Sequence, residues 1–319
     1  MTTKTQHSRD HGGGIDAAAA QYGGARADWL DLSTGINPCP YPIGDLPADA
    51  WRALPDQGAE AALIAAARAF WSVPAYLDIL PTHGASAAIA RLPTIFGDLD
   101  KSVQITMPTY NEWAASFEGA GWTITQGSAA LEIYVHPNNP DGRLAPAPVG
   151  DKIRIYDESF CDVIPEASHL PKIAESSRDI VLKSFGKFWG LAGLRLGFVI
   201  AAPDTIARLR AVMGPWSVSG PALVIGARAL RDPAWAEDTR RRLAQDAARL
   251  DALMAAAGAN DPCGTSLFRL FHVGNAAALQ SKLAQHHIWT RIFPYSTSMI
   301  RLGLPHAPED WTRLEKALA

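Results

Sequence analysis

The sequence has few cysteines and no strong excess of charge of either sign. Its three cysteines, Cys39, Cys161 and Cys263, lie far apart and form neither an even disulfide framework nor a C-x-x-C pair for zinc. Lys and Arg number 29 against 32 for Asp and Glu, so the basic excess that drives nucleic-acid binding is missing. No run approaches the ~18 apolar residues of a membrane span, and the polar N-terminus lacks the core of a signal peptide. We therefore expect a soluble, cytoplasmic protein with no metal, nucleic-acid or membrane partner.

The chain is long enough for one large domain and a smaller one, with 319 residues of which 48% are apolar. From residue 82 onward, short apolar strands alternate with helices, which predicts a mainly parallel sheet in a layered α/β domain. A helical region follows over 221–256, and the C-terminal strands and helices are typical of a compact α+β unit. We predict an N-terminal arm over 1–50 that associates with the small domain, a large domain over 51–215, and an interdomain helix with the small domain over 216–319.

The most informative segment begins at Ser184 and reads SFGKFWGLAGLRLG. Lys187 stands in a glycine-rich loop directly after a predicted strand, three residues after Ser184 and eight before Arg195. A partly desolvated lysine amine can react with the aldehyde of a cofactor, and a hydroxyl and a guanidinium suit a phosphate dianion. Lys183 is the competing lysine, but it lies within the predicted strand, before the loop.

The pattern S-x-x-K-x-x-G-L-x-G-x-R-x-G of this segment resembles the signature of fold-type I pyridoxal-phosphate enzymes of the class I/II aminotransferase superfamily. The resemblance implies an α/β fold of that type and pyridoxal 5'-phosphate as cofactor. It also implies that Lys187 is the catalytic residue, that Ser184 and Arg195 bind the cofactor, and that the active site lies at the interface of a homodimer.

Further segments occur in the order that this superfamily predicts. A helix begins within THGAS, where backbone amides form an anion site. By resemblance, PTY supplies a ring for the pyridine face, HPNNPDG an asparagine for the phenolate oxygen, and the end of KIRIYD an acid that keeps the pyridine nitrogen protonated. The residues assigned to the cofactor in these segments are Gly84, Ala85, Ser86, Tyr110, Asn139 and Asp157. Arg301, within the apolar strand MIRLGL, calls for an anionic partner and matches the arginine that receives the substrate's anionic group.

The N-terminal arm is similar to that of the threonine-phosphate decarboxylases, which carry H-G-G-N-I and D-F-S-A-N-I-N-P where this sequence has HGGGI and DLSTGINP. This resemblance implies decarboxylation of L-threonine O-3-phosphate to (R)-1-amino-2-propanol O-2-phosphate in cobalamin biosynthesis. It also implies that the arm contributes His11, Gly12 and Asn37 to the site of the substrate's phosphate.

Four positions depart from the family pattern. Gly14 and Gly35 replace asparagines, and Leu54 replaces a tyrosine that reaches the cofactor phosphate of the neighbouring subunit. Phe160 replaces a tyrosine whose hydroxyl points toward the cofactor's phenolate oxygen in many aminotransferases. The changes at Gly35, Leu54 and Phe160 keep open the alternative that the chain is a catalytically idle partner protein of the pathway.

A second alternative is a histidinol-phosphate-like aminotransferase, which shares the cofactor motifs and the phosphorylated class of substrate. Whether such an enzyme decarboxylates or transaminates its substrate depends on which bond is held perpendicular to the cofactor ring, the bond to the carboxylate or the bond to the α-hydrogen. The sequence leaves open whether Arg301 binds the carboxylate or the phosphate of the substrate.

Overall fold

The structure is a computed structural model that describes residues 11–319, so the first ten residues of the predicted arm lie outside the described part. The strands are, in chain order, β1 (Leu30–Asp31), β2 (Asp78–Thr82), β3 (Ser102–Ile105), β4 (Thr123–Thr125), β5 (Leu131–Val135), β6 (Ile153–Asp157), β7 (Ile180–Ser184), β8 (Gly197–Ala201), β9 (Asn260–Thr265), β10 (Phe268–His272), β11 (Ile288–Trp289), β12 (Arg291–Phe293) and β13 (Ser296–Gly303). The α-helices are α1 (Ile15–Tyr22), α2 (Asp49–Arg52), α3 (Gln57–Phe70), α4 (Ala85–Ile95), α5 (Asn111–Gly119), α6 (Pro203–Met213), α7 (Gly220–Ala229), α8 (Pro233–Ala256), α9 (Ala276–Ala284) and α10 (Pro308–Leu318).

A seven-stranded sheet in the order β2-β8-β7-β6-β5-β3-β4 forms the centre of the large domain. The neighbours from β4 to β7 pair in parallel, and β8 runs antiparallel to both β7 and β2. Every residue of β6 and of β8 is buried, as expected of strands covered by helices on both faces. The prediction of a mainly parallel α/β sheet is confirmed, and the carboxyl ends of β5, β6 and β7 meet at one edge.

Two apolar cores cover the two faces of this sheet. One contains Leu92 of α4 and Trp113 of α5, packed with the inner residues of β3, β5 and β7. The other contains Leu63 of α3 and Leu223 of α7 and extends to Leu302 in the C-terminal region. The second core therefore joins the large sheet to the C-terminal part of the chain.

The C-terminal part contains a four-stranded antiparallel sheet in the order β12-β13-β10-β9. Helix α9 packs on it, and α10 packs on α9. The predicted helical region consists of two helices, α7 and α8, which meet at the expected break near Asp232 and Pro233. The α+β character of this part is as predicted, whereas the division of the chain near residues 50 and 215 stays a prediction.

The arm is more regular than its sequence indicated, because residues 15–22 form α1. Strand β1 pairs in parallel with β11 of the C-terminal part, which lies beside α9. Farther along, the amide of Asn37 donates to the carbonyl of Lys187 (3.0 Å), and that of Tyr41 donates to the carbonyl of Trp189 (2.9 Å). The arm thus connects the C-terminal part to the lysine loop of the large domain.

Helices in the described part of the chain are either too short or too polar to cross a membrane.

Gly142 joins the two parts of the fold at a position where a side chain has no room. Its φ is +76°, and a Cβ built there would overlap the backbone carbonyl of Gly264, at the end of the β9–β10 hairpin. We expect Gly142→Ala to lower the free energy of unfolding by about 1–3 kcal/mol, because the backbone must leave the left-handed region or the hairpin must shift. Urea unfolding measures this, with Gly97→Ala as the control, since nothing lies within 4 Å of a Cβ at residue 97. Equal unfolding midpoints for the two variants would contradict the contact.

Candidate active site

An open cleft of about 680 Å³ lies at the edge of the sheet where β5, β6 and β7 end. It collects every residue that the sequence assigned to the cofactor, although they come from five separate segments. These residues are Gly84, Ala85, Ser86, Tyr110, Asn139, Asp157, Ser184, Lys187 and Arg195. The cleft is therefore the candidate active site.

One end of the cleft is an anion-binding cradle built from a helix start and an arginine. Helix α4 begins immediately after Gly84, so its first amides and the positive end of its dipole point into the cleft. The φ of Gly84 is +89°, and a Cβ there would lie 2.7 Å from Nη2 of Arg195. The same Nη2 donates to the Oγ of Ser86 (3.4 Å). The helix amides, the hydroxyl of Ser86 and the guanidinium of Arg195 thus surround one space, and a side chain at residue 84 would fill it.

Asp157 ends β6 at the floor of the cleft and is only 3% exposed. Its Oδ2 accepts a hydrogen bond from Nε1 of Trp113 (3.0 Å), and its Oδ1 accepts from the backbone amide (3.1 Å) and the hydroxyl of Ser159. Burial raises the pKa of Asp157, whereas these donors stabilise the ionised form. Sequence reasoning missed Trp113 and Ser159. The available signal was a tryptophan in the first turn of a predicted helix, whose indole N–H needs a partner once it is buried.

Lys187 is half-buried and points its amine into the cleft. Removal from water, followed by the charge of Arg301, lowers the pKa of Lys187 to about 8, although Asp157 acts in the opposite direction. Its Nζ lies 5.3 Å from the centroid of the Phe160 ring. A lysine in these surroundings has a substantial neutral fraction near neutral pH, which is the form that attacks an aldehyde.

Lys183, the competing lysine, is buried and faces other partners. Its Nζ lies 2.7 Å from Oε2 of Glu158 and 3.6 Å from Oδ1 of Asp162. These carboxylates raise the pKa of Lys183 despite its burial, so it remains an ammonium. Lys183 is not among the residues of the described chain that line the cleft.

A second cavity of about 710 Å³ adjoins the cleft, and Tyr110 and Asn139 line both. Three of the four residues that the sequence assigned to the substrate line it, namely His11, Gly12 and Arg301. The arm and the C-terminal sheet thus meet the large domain at this cavity.

Arg301 is 5% exposed and largely immobilised. Its Nη1 donates to Oδ1 of Asn139 and its Nη2 to the carbonyl of Ser33 (2.6 Å). Its Nε is buried and has no hydrogen-bond partner among residues 11–319. A buried guanidinium nitrogen without an acceptor calls for an anionic ligand. The bond to Oδ1 also leaves the amide nitrogen of Asn139 as the donor for a second ligand.

Arg291 was not identified from the sequence, yet it lines the same cavity. It lies opposite Arg301 in the pairing of β12 with β13, and its Nη1 donates to the carbonyl of His11 (2.6 Å). The ring of His11 in turn lies 2.9 Å from Oε1 of Glu112, at the start of α5. The sequence alone does not give the register between β12 and β13, so it could not show that Arg291 lies opposite Arg301.

Asn37 is the one assigned substrate residue that the structure does not bring to this cavity. It is buried, its Nδ2 donates to the carbonyl of Phe188 (2.8 Å), and its Oδ1 accepts from the amide of Cys39 (3.0 Å) and from Nη2 of Arg242 (2.6 Å). Within the described chain it lines neither cavity. Its side chain fastens the arm to the lysine loop.

Comparisons with known proteins agree with this geometry. Residues 133–318 match the family model of aminotransferase class I and II. The chain is 41% identical to a threonine-phosphate decarboxylase from a Sinorhizobium species and 36% identical to one from Pseudomonas aeruginosa, and each match covers 97% of both chains. A solved histidinol-phosphate aminotransferase from Sinorhizobium meliloti, in complex with pyridoxal-5'-phosphate, superposes with a TM-score of 0.82 at 17% identity, over 96% of this chain and 94% of that one. That last likeness concerns the fold alone.

The lowered pKa of Lys187 predicts how its amine reacts with pH. A depressed lysine pKa means that the reactive neutral form appears as the pH rises through about 8, below the range of ordinary lysines. Labelling with acetic anhydride at a series of pH values, followed by mass spectrometry, should give a midpoint near pH 8 for Lys187. Lys183 should stay unlabelled until the protein unfolds, because its amine is buried against Glu158. A midpoint for Lys187 in the range of ordinary lysines would contradict the desolvated environment.

Proposed function

The chain belongs to the class I and II aminotransferase family, and from this premise we propose that it is a pyridoxal 5'-phosphate-dependent threonine-phosphate decarboxylase. It converts L-threonine O-3-phosphate to (R)-1-amino-2-propanol O-2-phosphate and thereby serves cobalamin biosynthesis. The observation that carries the proposal is the pair Arg291 and Arg301 in the cavity beside the lysine cleft, one cation for each anionic group of the substrate. Identity of 41% and 36% to two proteins of that name, over 97% of the chain, supports it.

The cleft fits pyridoxal phosphate in each of its charged parts. The cradle at Gly84, Ser86 and Arg195 would hold its phosphate, and Asp157, whose carboxyl group accepts a hydrogen bond from Trp113, would pair with its pyridine nitrogen. Asn139 would donate to its phenolate oxygen, and Ser184 and Tyr110 complete the lining of the cleft. When bound, this cofactor withdraws electrons from the bond that breaks at the substrate's α-carbon.

Lys187, which lines the cleft, is the residue that would hold the aldehyde of the cofactor. A pKa of about 8 allows its Nζ to carry a proton and to release it near neutral pH. We assign to this Nζ the delivery of the proton that replaces the departing carboxylate at the α-carbon.

Arg301 receives the carboxylate of the substrate in this proposal, and Arg291 with His11 receives the phosphate. We place the carboxylate at Arg301 because its charge, unlike that of Arg291, is among those that lower the pKa of Lys187. The Nε of Arg301, which has no partner among the described residues, provides the hydrogen-bond donor for this carboxylate. The carboxylate that it orients is the group that leaves, whereas an aminotransferase must present the α-hydrogen instead.

The same proposal includes a homodimer in the cytoplasm. Three large apolar side chains, Trp51, Leu54 and Trp216, are 69%, 67% and 61% exposed. We place them in one surface patch. Ala50 packs against Gly220, which brings α2, the helix that carries Trp51, beside the start of α7, and Trp216 lies just before α7 in the chain. A patch of this kind is typical of a protein–protein interface. Three free cysteines are consistent with a reducing compartment.

The direct test supplies the cofactor-loaded protein with L-threonine O-3-phosphate and measures carbon dioxide and aminopropanol phosphate. We expect stoichiometric formation of both, and loss of turnover in Lys187→Ala. The matched control is Lys172→Ala, an exposed lysine outside the cleft. Turnover of histidinol phosphate with a 2-oxo acid, and no carbon dioxide, would assign the chain to the aminotransferases. A protein that never takes up the cofactor would favour an idle partner.

The dimer is tested by sedimentation at assay concentrations. We expect the wild-type protein to sediment as a dimer and Trp216→Glu to weaken it, because a buried charge in an apolar interface is costly. Val149→Glu changes an equally exposed apolar residue elsewhere and should leave the dimer intact. A wild-type monomer with full activity would rule out the dimer.

A further inference from the structure

Two buried phenylalanines meet between the cleft and the C-terminal sheet. Phe160 follows β6 in the large domain, and Phe268 begins β10 in the C-terminal sheet. Their ring centroids lie 5.0 Å apart with an interplanar angle of 79°, the favourable edge-to-face arrangement. This aromatic pair, Phe160 and Phe268, therefore connects the two halves of the site.

A positively charged side chain of the site lies over each ring of the aromatic pair. The Nζ of Lys187 lies 5.3 Å from the centroid of Phe160, and the Cζ of Arg301 lies 5.1 Å from the centroid of Phe268. A cation over the face of an aromatic ring is attracted by its quadrupole, and more strongly where water is excluded. The two cations that handle the cofactor and the substrate thus rest on one continuous aromatic support.

Gly35 of the arm closes this arrangement from the other side. A Cβ at residue 35 would lie 2.8 Å from Cδ1 of Phe268 and 3.0 Å from Cε1 of Phe160. Packing against the aromatic pair, and not an unusual backbone conformation, therefore excludes a side chain there. The two departures from the family pattern at residues 35 and 160 therefore lie in one contact.

We propose that Phe268 is a positioning residue, which holds the guanidinium of Arg301 in the orientation that presents its free Nε to the substrate, and that Gly35 is required for that packing. The inference rests on the proposed function, since it assigns the direction in which Arg301 meets the substrate's carboxylate. Asn139 and Ser33 hold the two Nη atoms, and the ring of Phe268 supports the face of the guanidinium. With all three contacts present, Nε keeps one direction.

The test replaces Phe268 with leucine, which keeps an apolar side chain but removes the ring. The matched control is Phe271→Leu, because Phe271 is equally buried in the same strand but its side chain lies on the opposite face of the sheet. We expect the KM for L-threonine O-3-phosphate to rise about tenfold in Phe268→Leu, with a smaller change in kcat, and Phe271→Leu to keep the wild-type KM.

A second readout needs neither cofactor nor turnover. In the cofactor-free protein, Arg301 lowers the pKa of Lys187, so a displaced Arg301 raises the pH midpoint at which Lys187 is acetylated. We expect this midpoint to rise in Phe268→Leu and to stay unchanged in Phe271→Leu. If the wild type fails to decarboxylate threonine phosphate, the proposed function is wrong, while the labelling midpoint still decides the role of Phe268.

Gly35→Ala probes the same packing independently. Its methyl group would displace both rings, so we expect a higher KM and a higher labelling midpoint than in the wild type. In the double variant with Phe268→Leu, the smaller side chain accommodates the methyl group, and the two effects should combine to less than their sum. A Phe268→Leu protein with the wild-type midpoint and KM, or full additivity with Gly35→Ala, would overturn the proposal.

Discussion

The site depends first on holding the carboxyl group of Asp157 inside an apolar sheet. Asp157 ends a strand whose residues are all buried, where an unpaired charge is costly. Trp113 and Ser159 offset that cost with three hydrogen bonds, and these also fix the direction of the carboxylate. The same burial extends to Lys187, where it lowers the pKa and favours the neutral amine. One buried environment therefore raises the pKa of the carboxyl group and lowers that of the amine.

The arm helps to build the second cavity, which adjoins the cleft. It pairs with β11, fastens to the lysine loop through Asn37, and supplies the carbonyl of Ser33 that holds Arg301. This second cavity is thus assembled from three parts of the chain that are remote in sequence. Because Gly35 lies in the same arm, the packing at the aromatic pair belongs to this assembly as well.

The sequence was sufficient for the cofactor cleft because its residues sit in short local motifs at the ends of strands. Glycines around Lys187 and a helix start at Gly84 can be recognised from their neighbours alone. Long-range contacts could not be predicted in this way. The asparagine at residue 37 looked like a ligand residue, but a distant arginine and the lysine loop use its side chain. Arg291 was missed because its importance arises only from its cross-strand pairing with Arg301.

The central claim is that the residues around Lys187 direct the loss of the carboxylate and not of the α-hydrogen. Turnover of L-threonine O-3-phosphate deuterated at the α-carbon tests this directly, with mass spectrometry of the product. We predict that the aminopropanol phosphate keeps the deuterium and gains one hydrogen from solvent. A product that has lost the deuterium and kept the carboxylate carbon would contradict the account.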